Sequence, residues 1–200
     1  MRRRSILLGG SRTTNVVTIA CALVLIASLF VWGLAARPLA SAAATPVCTT
    51  ANLDVWLNTS GNGAAGSSYF NLNLTNLSAS TCKIYGYPGV SAITQAGVQV
   101  GSAAARSKAH PVSVITLTSA RSAKGLETST AHNTATVVLQ IAVAENFPQA
   151  SCVPITAAGF RVYPPNQKDS TIVPFPFVAC AKPGPRFLHV ESVQRYVATQ

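Results

Sequence analysis

The residues able to do chemistry are few and far apart. Beyond residue 42 the chain has three histidines (His110, His132, His189) and five carboxylates (Asp54, Glu127, Glu145, Asp169, Glu191). Nucleophilic or acid–base catalysis needs such groups within hydrogen-bond reach of one another, and no local spacing supplies that. A pair of carboxylates for glycoside cleavage would have to come from distant strands. No histidine lies three to five residues from another and no Cys-x-x-Cys occurs, so the usual zinc spacing is missing. There is no Gly-x-Ser-x-Gly elbow and no His-Glu-x-x-His. We therefore assign no catalytic, cofactor-binding or metal site, and expect no cofactor and no enzyme.

One phosphate-binding pattern does occur by spacing. Gly61-x-Gly63-x-x-Gly66 has the glycines of a dinucleotide loop, but the next residues, Ser67 to Thr75, alternate as a strand. No helix N-terminus would receive a pyrophosphate, and the segment reads as a glycine-rich hairpin loop.

Two aromatic segments could contact a ligand. In Ile172-Val173-Pro174-Phe175-Pro176-Phe177-Val178, Phe175 and Phe177 are candidates, and the ordinary reading is an edge strand kept from further pairing by proline. In Tyr85-Gly86-Tyr87-Pro88 the two tyrosines, Tyr85 and Tyr87, could stack on a sugar ring or simply pack a turn onto the domain.

These residues must be held by strands. Phe70, Leu72 and Leu74 alternate with Tyr69, Asn71, Asn73 and Thr75, the period-two signature of a half-buried strand. The same alternation appears at Leu53/Val55/Leu57, Val112/Val114, Val137/Leu139/Ile141/Val143, Phe160/Val162 and Leu188/Val190. Turn signals divide these runs at Ser60-Gly61-Asn62-Gly63, Gly86-Tyr87-Pro88-Gly89, Gln95-Ala96-Gly97, Pro164-Pro165-Asn166 and Pro183-Gly184-Pro185. The Thr/Ala/Ser-rich stretch from Ser119 to Ala135 reads as a long connection. Seven to nine short strands without helical periodicity predict an all-β fold, an immunoglobulin-like antiparallel β-sandwich.

Four cysteines, Cys48, Cys82, Cys152 and Cys180, fall in this part of the chain. An even number in an exported domain predicts disulfides. Of three possible connectivities we favour Cys48–Cys82 and Cys152–Cys180, one within each half of the chain. Each would close a loop of about thirty residues and stabilise by about 3–4 kcal/mol.

The start of the chain differs in kind. Met1 to Arg12 is basic, and Val16 to Ala36 is apolar without a charge. Four arginines before the run and one after it predict a cytoplasmic N-terminus and a translocated C-terminus. Small residues at Ala40, Ala42 and Ala44 suit a signal peptidase. We expect cleavage after Ala42, with an uncleaved anchor as the alternative because the run is long enough to span a bilayer. Arg3-Arg4-Ser5-Ile6-Leu7 matches a twin-arginine pattern, although a general secretory signal would look much the same. Cys21 opens the apolar run instead of following it, so it is not read as a lipidation site. Residues 1–42 are thus a signal peptide or signal anchor, and 43–200 a single sandwich domain with its core at 48–193.

The formal charge is +10, but Arg2, Arg3, Arg4, Arg12 and Arg37 supply five of the fifteen cations. The others are scattered singly between Lys83 and Arg195, which excludes the basic stripe that tracks a phosphate backbone. Nucleic acid is not an expected partner.

Further landmarks are Cys48, Asn76-Leu77-Ser78 leading to Thr81-Cys82, Gly86-Tyr87-Pro88-Gly89-Val90, Thr116-Leu117, Cys152-x-Pro154, Val162-x-Pro164-Pro165 and Cys180. In these the chain resembles exported actinobacterial proteins of the domain-of-unknown-function family 4232, from about Cys48 to Val193. The resemblance implies an immunoglobulin-like sandwich in secreted, lipid-anchored or membrane-anchored proteins, with no established activity and no functional residues to transfer. One departure is Thr118-Ser119-Ala120-Arg121, where the family usually has a Pro-Gly turn. The expected function is a non-catalytic binding or interaction module for an envelope or extracellular ligand, secreted or held outside the cytoplasm by its N-terminal segment. The alternatives are a cell-wall hydrolase whose site assembles only in three dimensions, and a structural surface protein.

Overall fold

The computed structural model describes residues 43–119 and 130–196. Expectations for residues 1–42 and for much of the connection after Ser119 lie outside them. The described residues from Ala44 onward fall in one compact unit, and among them α-helix is confined to single turns at Thr130–Asn133 and Gln149–Cys152, with 3-10 turns at Thr50–Asn52 and Ala144–Asn146. No helix among the described residues is long and apolar enough to cross a membrane.

The largest sheet runs β1 (Leu53–Ala64), β2 (Ser67–Asn76), β8 (Thr134–Ala142), β11 (Leu188–Val190) and β6 (Ala105–Arg106), with β12 (Gln194–Arg195) also paired to β8. A second sheet runs β10 (Thr171–Cys180), β9 (Pro154–Tyr163), β4 (Gly89–Ile93) and β5 (Gln99–Val100). β3 (Cys82–Ile84) and β7 (Ile115–Leu117) form a separate antiparallel pair. All three contribute to one hydrophobic core in which Leu72, Leu74, Leu117, Leu139, Phe160 and Phe187 are almost wholly buried.

Register explains why this sequence takes this shape. Across the largest sheet Leu57, Leu72 and Val137 stand in one row, and Val55, Leu74 and Ala135 in the next, so each run's apolar half meets its neighbour's. Slipping by one residue would turn both rows to water. Leu53, Val55, Val137, Leu139, Phe160, Val162, Leu188 and Val190 are all buried.

Four details depart from the sequence expectations. The segment Val112/Val114 is not an inward strand: both residues are more than half exposed, and Ile115 and Leu117 are buried instead. That run admits two registers, and the one that pairs Ile115 with Ile84 and Leu117 with Cys82 wins. Val143 lies just past the end of β8 and is exposed. Ser60–Gly63 lies within β1 rather than forming the turn; the turn is Ala65-Gly66, at φ 50° and 73°. Two successive positive φ values make a two-residue hairpin whose twist matches its strands, and the Gly66 carbonyl accepts bonds from the Asn146 side chain and the Val143 amide. Finally, the sheets are not wholly antiparallel, because β6 runs parallel to β11. The chain reaches β6 from β5 in the other sheet, so no hairpin sets its direction.

The proline-rich strand β10 is the outer strand of its sheet. Between Pro174 and Phe177 its pairing with β9 is irregular. Opposite that point a side chain on Gly159 would meet the backbone of Val173 and Pro174, so only glycine permits the close approach.

Cys48 is bonded to Cys82 and Cys152 to Cys180, with Cα separations of 5.0 and 4.4 Å. These are the pairs favoured on locality. Two disulfides in one small domain indicate an oxidising, extracytoplasmic setting.

Asn76 ties β2 to the strand pair. Its side-chain nitrogen donates to the Ser80 and Thr118 carbonyls, each at 2.9 Å, and its oxygen accepts from the Ser78 amide and hydroxyl. That is the physical reason for asparagine in Asn76-Leu77-Ser78.

Candidate functional site

The four aromatic candidates divide into two environments. Phe175 and Phe177 project from β10 toward the core, where Phe160 lies 4.8 Å from Phe177 and Phe70 lies 4.9 Å from Phe175, ring centre to ring centre. Beside them a cavity of about 300 Å³ is lined by Phe70, Ile141, Phe175, Pro176, Phe177 and Val178, among others, and by neither tyrosine. Tyr87 lies under the Arg106 guanidinium at 5.5 Å, a cation–π contact, and Tyr85 is 36% exposed with its carbonyl accepting from Asn166. Tyr87 is thereby engaged within the protein.

The residues brought together most extensively are those the alternation turns outward from the largest sheet. Partners in register share a face. Asp54, Thr75 and Thr134 form one row; Trp56, Asn73, Thr136 and Gln194 the next; Asn58, Asn71 and Val138 a third; Asn62, Tyr69, Gln140 and His189 a fourth. Pairing is irregular between Asn58 and Asn62, but β1 gains an even number of residues there. With a period of two, Asn62 keeps the face of Asn58.

Hydrogen bonds fix much of this face. The Trp56 indole N–H donates to the Thr75 hydroxyl at 3.1 Å, and that hydroxyl lies 3.0 Å from the Thr134 hydroxyl. Thr136 donates to the Asn73 side-chain oxygen at 2.8 Å, and Gln140 donates to the Ser67 hydroxyl at 2.9 Å. Asn71 makes no side-chain hydrogen bond among the described residues. It lines two adjoining cavities together with Val138, one of about 520 Å³ and one of about 270 Å³ that also holds Ser60, Asn62 and Tyr69.

The larger cavity contains a histidine beside a carboxylate. The segment 107–114 is held against β11 and β12 by the Ser192 hydroxyl, placed 3.3 Å from the His110 and Pro111 carbonyls. This brings His110 Nε2 to 3.4 Å from Glu191 Oε2, with His110 53% and Glu191 18% exposed. Oε2 is buried without a hydrogen bond, so the approach is an ion-pair distance without hydrogen-bond geometry. Ser113 and Arg195 share the cavity. His132 lies exposed in a helical turn and does not line this cavity, and His189 belongs to the outward rows. Among the described residues no group of three histidines, cysteines or carboxylates could hold a metal.

Sequence reasoning singled out neither Trp56, Asn71, Asn73 and Gln194 nor the His110–Glu191 pair. The first set was legible as the outward half of the same alternation that marks the core. The second depends on a loop crossing the sheet, for which the sequence has no local signal.

No curated protein and no solved structure gives a significant match to the chain. The family model described as "Domain of unknown function (DUF4232)" matches residues 48–194, which take in both disulfides and every row of the outward face. With that much of its length matched, the chain belongs to the DUF4232 family.

Proposed function

We propose that the protein is an exported, non-catalytic binding module of the cell envelope or the extracellular medium, an immunoglobulin-like sandwich that takes its ligand on the outer face of its largest sheet. The observation that carries this reading is the pair of adjoining cavities that share Asn71 and Val138 on that face. Folding requires only the inward rows to be apolar. It does not require three accessible asparagines (Asn58, Asn62 and Asn71), two glutamines, a tryptophan and a tyrosine to be set in register on the other side.

Two open sheets and a strand pair around one core support the sandwich reading, with the parallel β6–β11 pair at the sheet's margin. Export is supported by the basic and apolar beginning of the chain and by the disulfides. Cleavage after Ala42 would release the domain; an uncleaved segment would anchor it outside.

Among the described residues, the histidine and carboxylate brought together for hydrolysis are His110 and Glu191. Ser113 shares the cavity without a hydrogen bond to His110, and no second carboxylate among the described residues lines it. The pair lacks an activated nucleophile and a partner acid, which favours binding over catalysis.

The test exposes the purified exported protein to solubilised cell-wall fragments, soluble neutral glucans, polygalacturonate and anionic lipid vesicles, and maps hydrogen exchange. Saturable protection confined to β1, β2, β8 and β12 is the expected result. Protection centred elsewhere, turnover of a cell-wall fragment, or no saturable binding would overturn the reading.

A further inference from the structure

We infer that this outer face binds a neutral polysaccharide chain, an inference that rests on the reading of the face as the binding surface and names its ligand. The chemistry of the rows is selective. An amide presents both a donor and an acceptor, as does a sugar hydroxyl, and Asn71, with no side-chain partner among the described residues, lines both cavities. Trp56 and Tyr69 lie in the rows on either side of it. The indole N–H donates to the Thr75 hydroxyl, which fixes the half-buried ring on this face, and an aromatic ring there can stack against the apolar C–H face of a sugar ring. The longest rows are four strands across, a width of about 14 Å at the spacing of neighbouring strands. That suits a chain of rings better than a single one.

Charge decides against the other polymers. No lysine or arginine stands in any of the four rows. The nearby cation, Arg195, lines the larger cavity beside Glu191, and Asp54 closes the opposite corner. A phosphate or uronate chain would meet one guanidinium, Arg195, with the Glu191 carboxylate in the same cavity to offset it, and a second carboxylate at Asp54 to repel it. An acyl chain would find Val138 as the sole aliphatic side chain of the rows.

Binding of the exported protein to cellulose, chitin and starch particles, measured by depletion, tests this directly, with polygalacturonate beside them. At least one neutral polysaccharide should bind saturably. Trp56→Ala and Asn71→Ala should weaken that binding about tenfold or more, as loss of a central contact does, whereas Ile172→Ala on the other sheet should not. If Trp56→Ala does not fold, Asn71→Ala alone carries the comparison, its folding checked by an unchanged denaturation midpoint. Polygalacturonate binding that is lost in Asn71→Ala would keep the face and overturn the neutral class. Binding indifferent to Asn71→Ala would overturn both, and retention on none of the neutral particles would overturn the inference.

Discussion

The Thr136 hydroxyl donates to the Asn73 side-chain oxygen at 2.8 Å, joining β2 to β8 on the outward face. Asn73 is itself wholly buried, and its amide nitrogen has no partner among the described residues. Among the described residues, Thr136 is therefore the one side chain that offsets the burial of this carboxamide. Thr136→Val keeps the shape and removes the donor, leaving both ends of the amide unpaired. It should cost about 1–3 kcal/mol, the desolvation penalty of a buried polar group. Urea denaturation of the oxidised protein measures this, and an unchanged midpoint would show that the bond contributes nothing.

Asn76 makes a sharper comparison because its two ends do different work. The nitrogen serves two carbonyls and the oxygen serves Ser78. Asn76→Ala should lose about 2–4 kcal/mol, several bonds at about 1 kcal/mol each. Asn76→Asp should be worse still, since it sets a carboxylate against the Ser80 and Thr118 carbonyls. Equal stability of the aspartate variant and the parent, measured by thermal unfolding, would contradict the donor assignment.

How much of this was legible depends on which half of an alternation is read. Leu72, Leu74, Val137, Leu139, Phe160 and Val162 declared themselves by spacing, because a strand's period of two lets one buried face identify the other. Their outward partners passed as ordinary solvent-facing residues until the register put Trp56 beside Asn73 and Tyr69 beside Gln140. Val112 and Ile115 show the limit: one apolar run, two registers, and a choice made by the pairing of β7 with β3, remote in sequence. His110 and Glu191 lie further beyond local reading, since a loop must cross the sheet before they meet.

The edge position of β10 makes its prolines testable. Proline has no amide to offer a neighbouring strand, and Pro174 and Pro176 are both exposed on the outer strand of the sheet. Replacing both with valine should leave an apolar edge between Ile172 and Val178 able to pair with a second copy. Light scattering during storage at high concentration should show self-association that the parent lacks. A double variant that stays monomeric would mean the bulge near Phe175 already blocks the edge.

Two apolar residues of the same sheet should differ widely when truncated. Phe160 has no exposed surface and packs against Phe175 and Phe177. Phe160→Ala should cost about 3–5 kcal/mol through lost transfer energy and the cavity left behind. Ile172 is 50% exposed although it stands one residue from the buried Val173, and Ile172→Ala should change stability by about 0.5 kcal/mol or less. Denaturation midpoints of the two variants decide whether β9 and β10 present the faces described. Comparable losses would mean that Ile172 is covered, either because β10 is shifted by one residue or because a second surface rests on it.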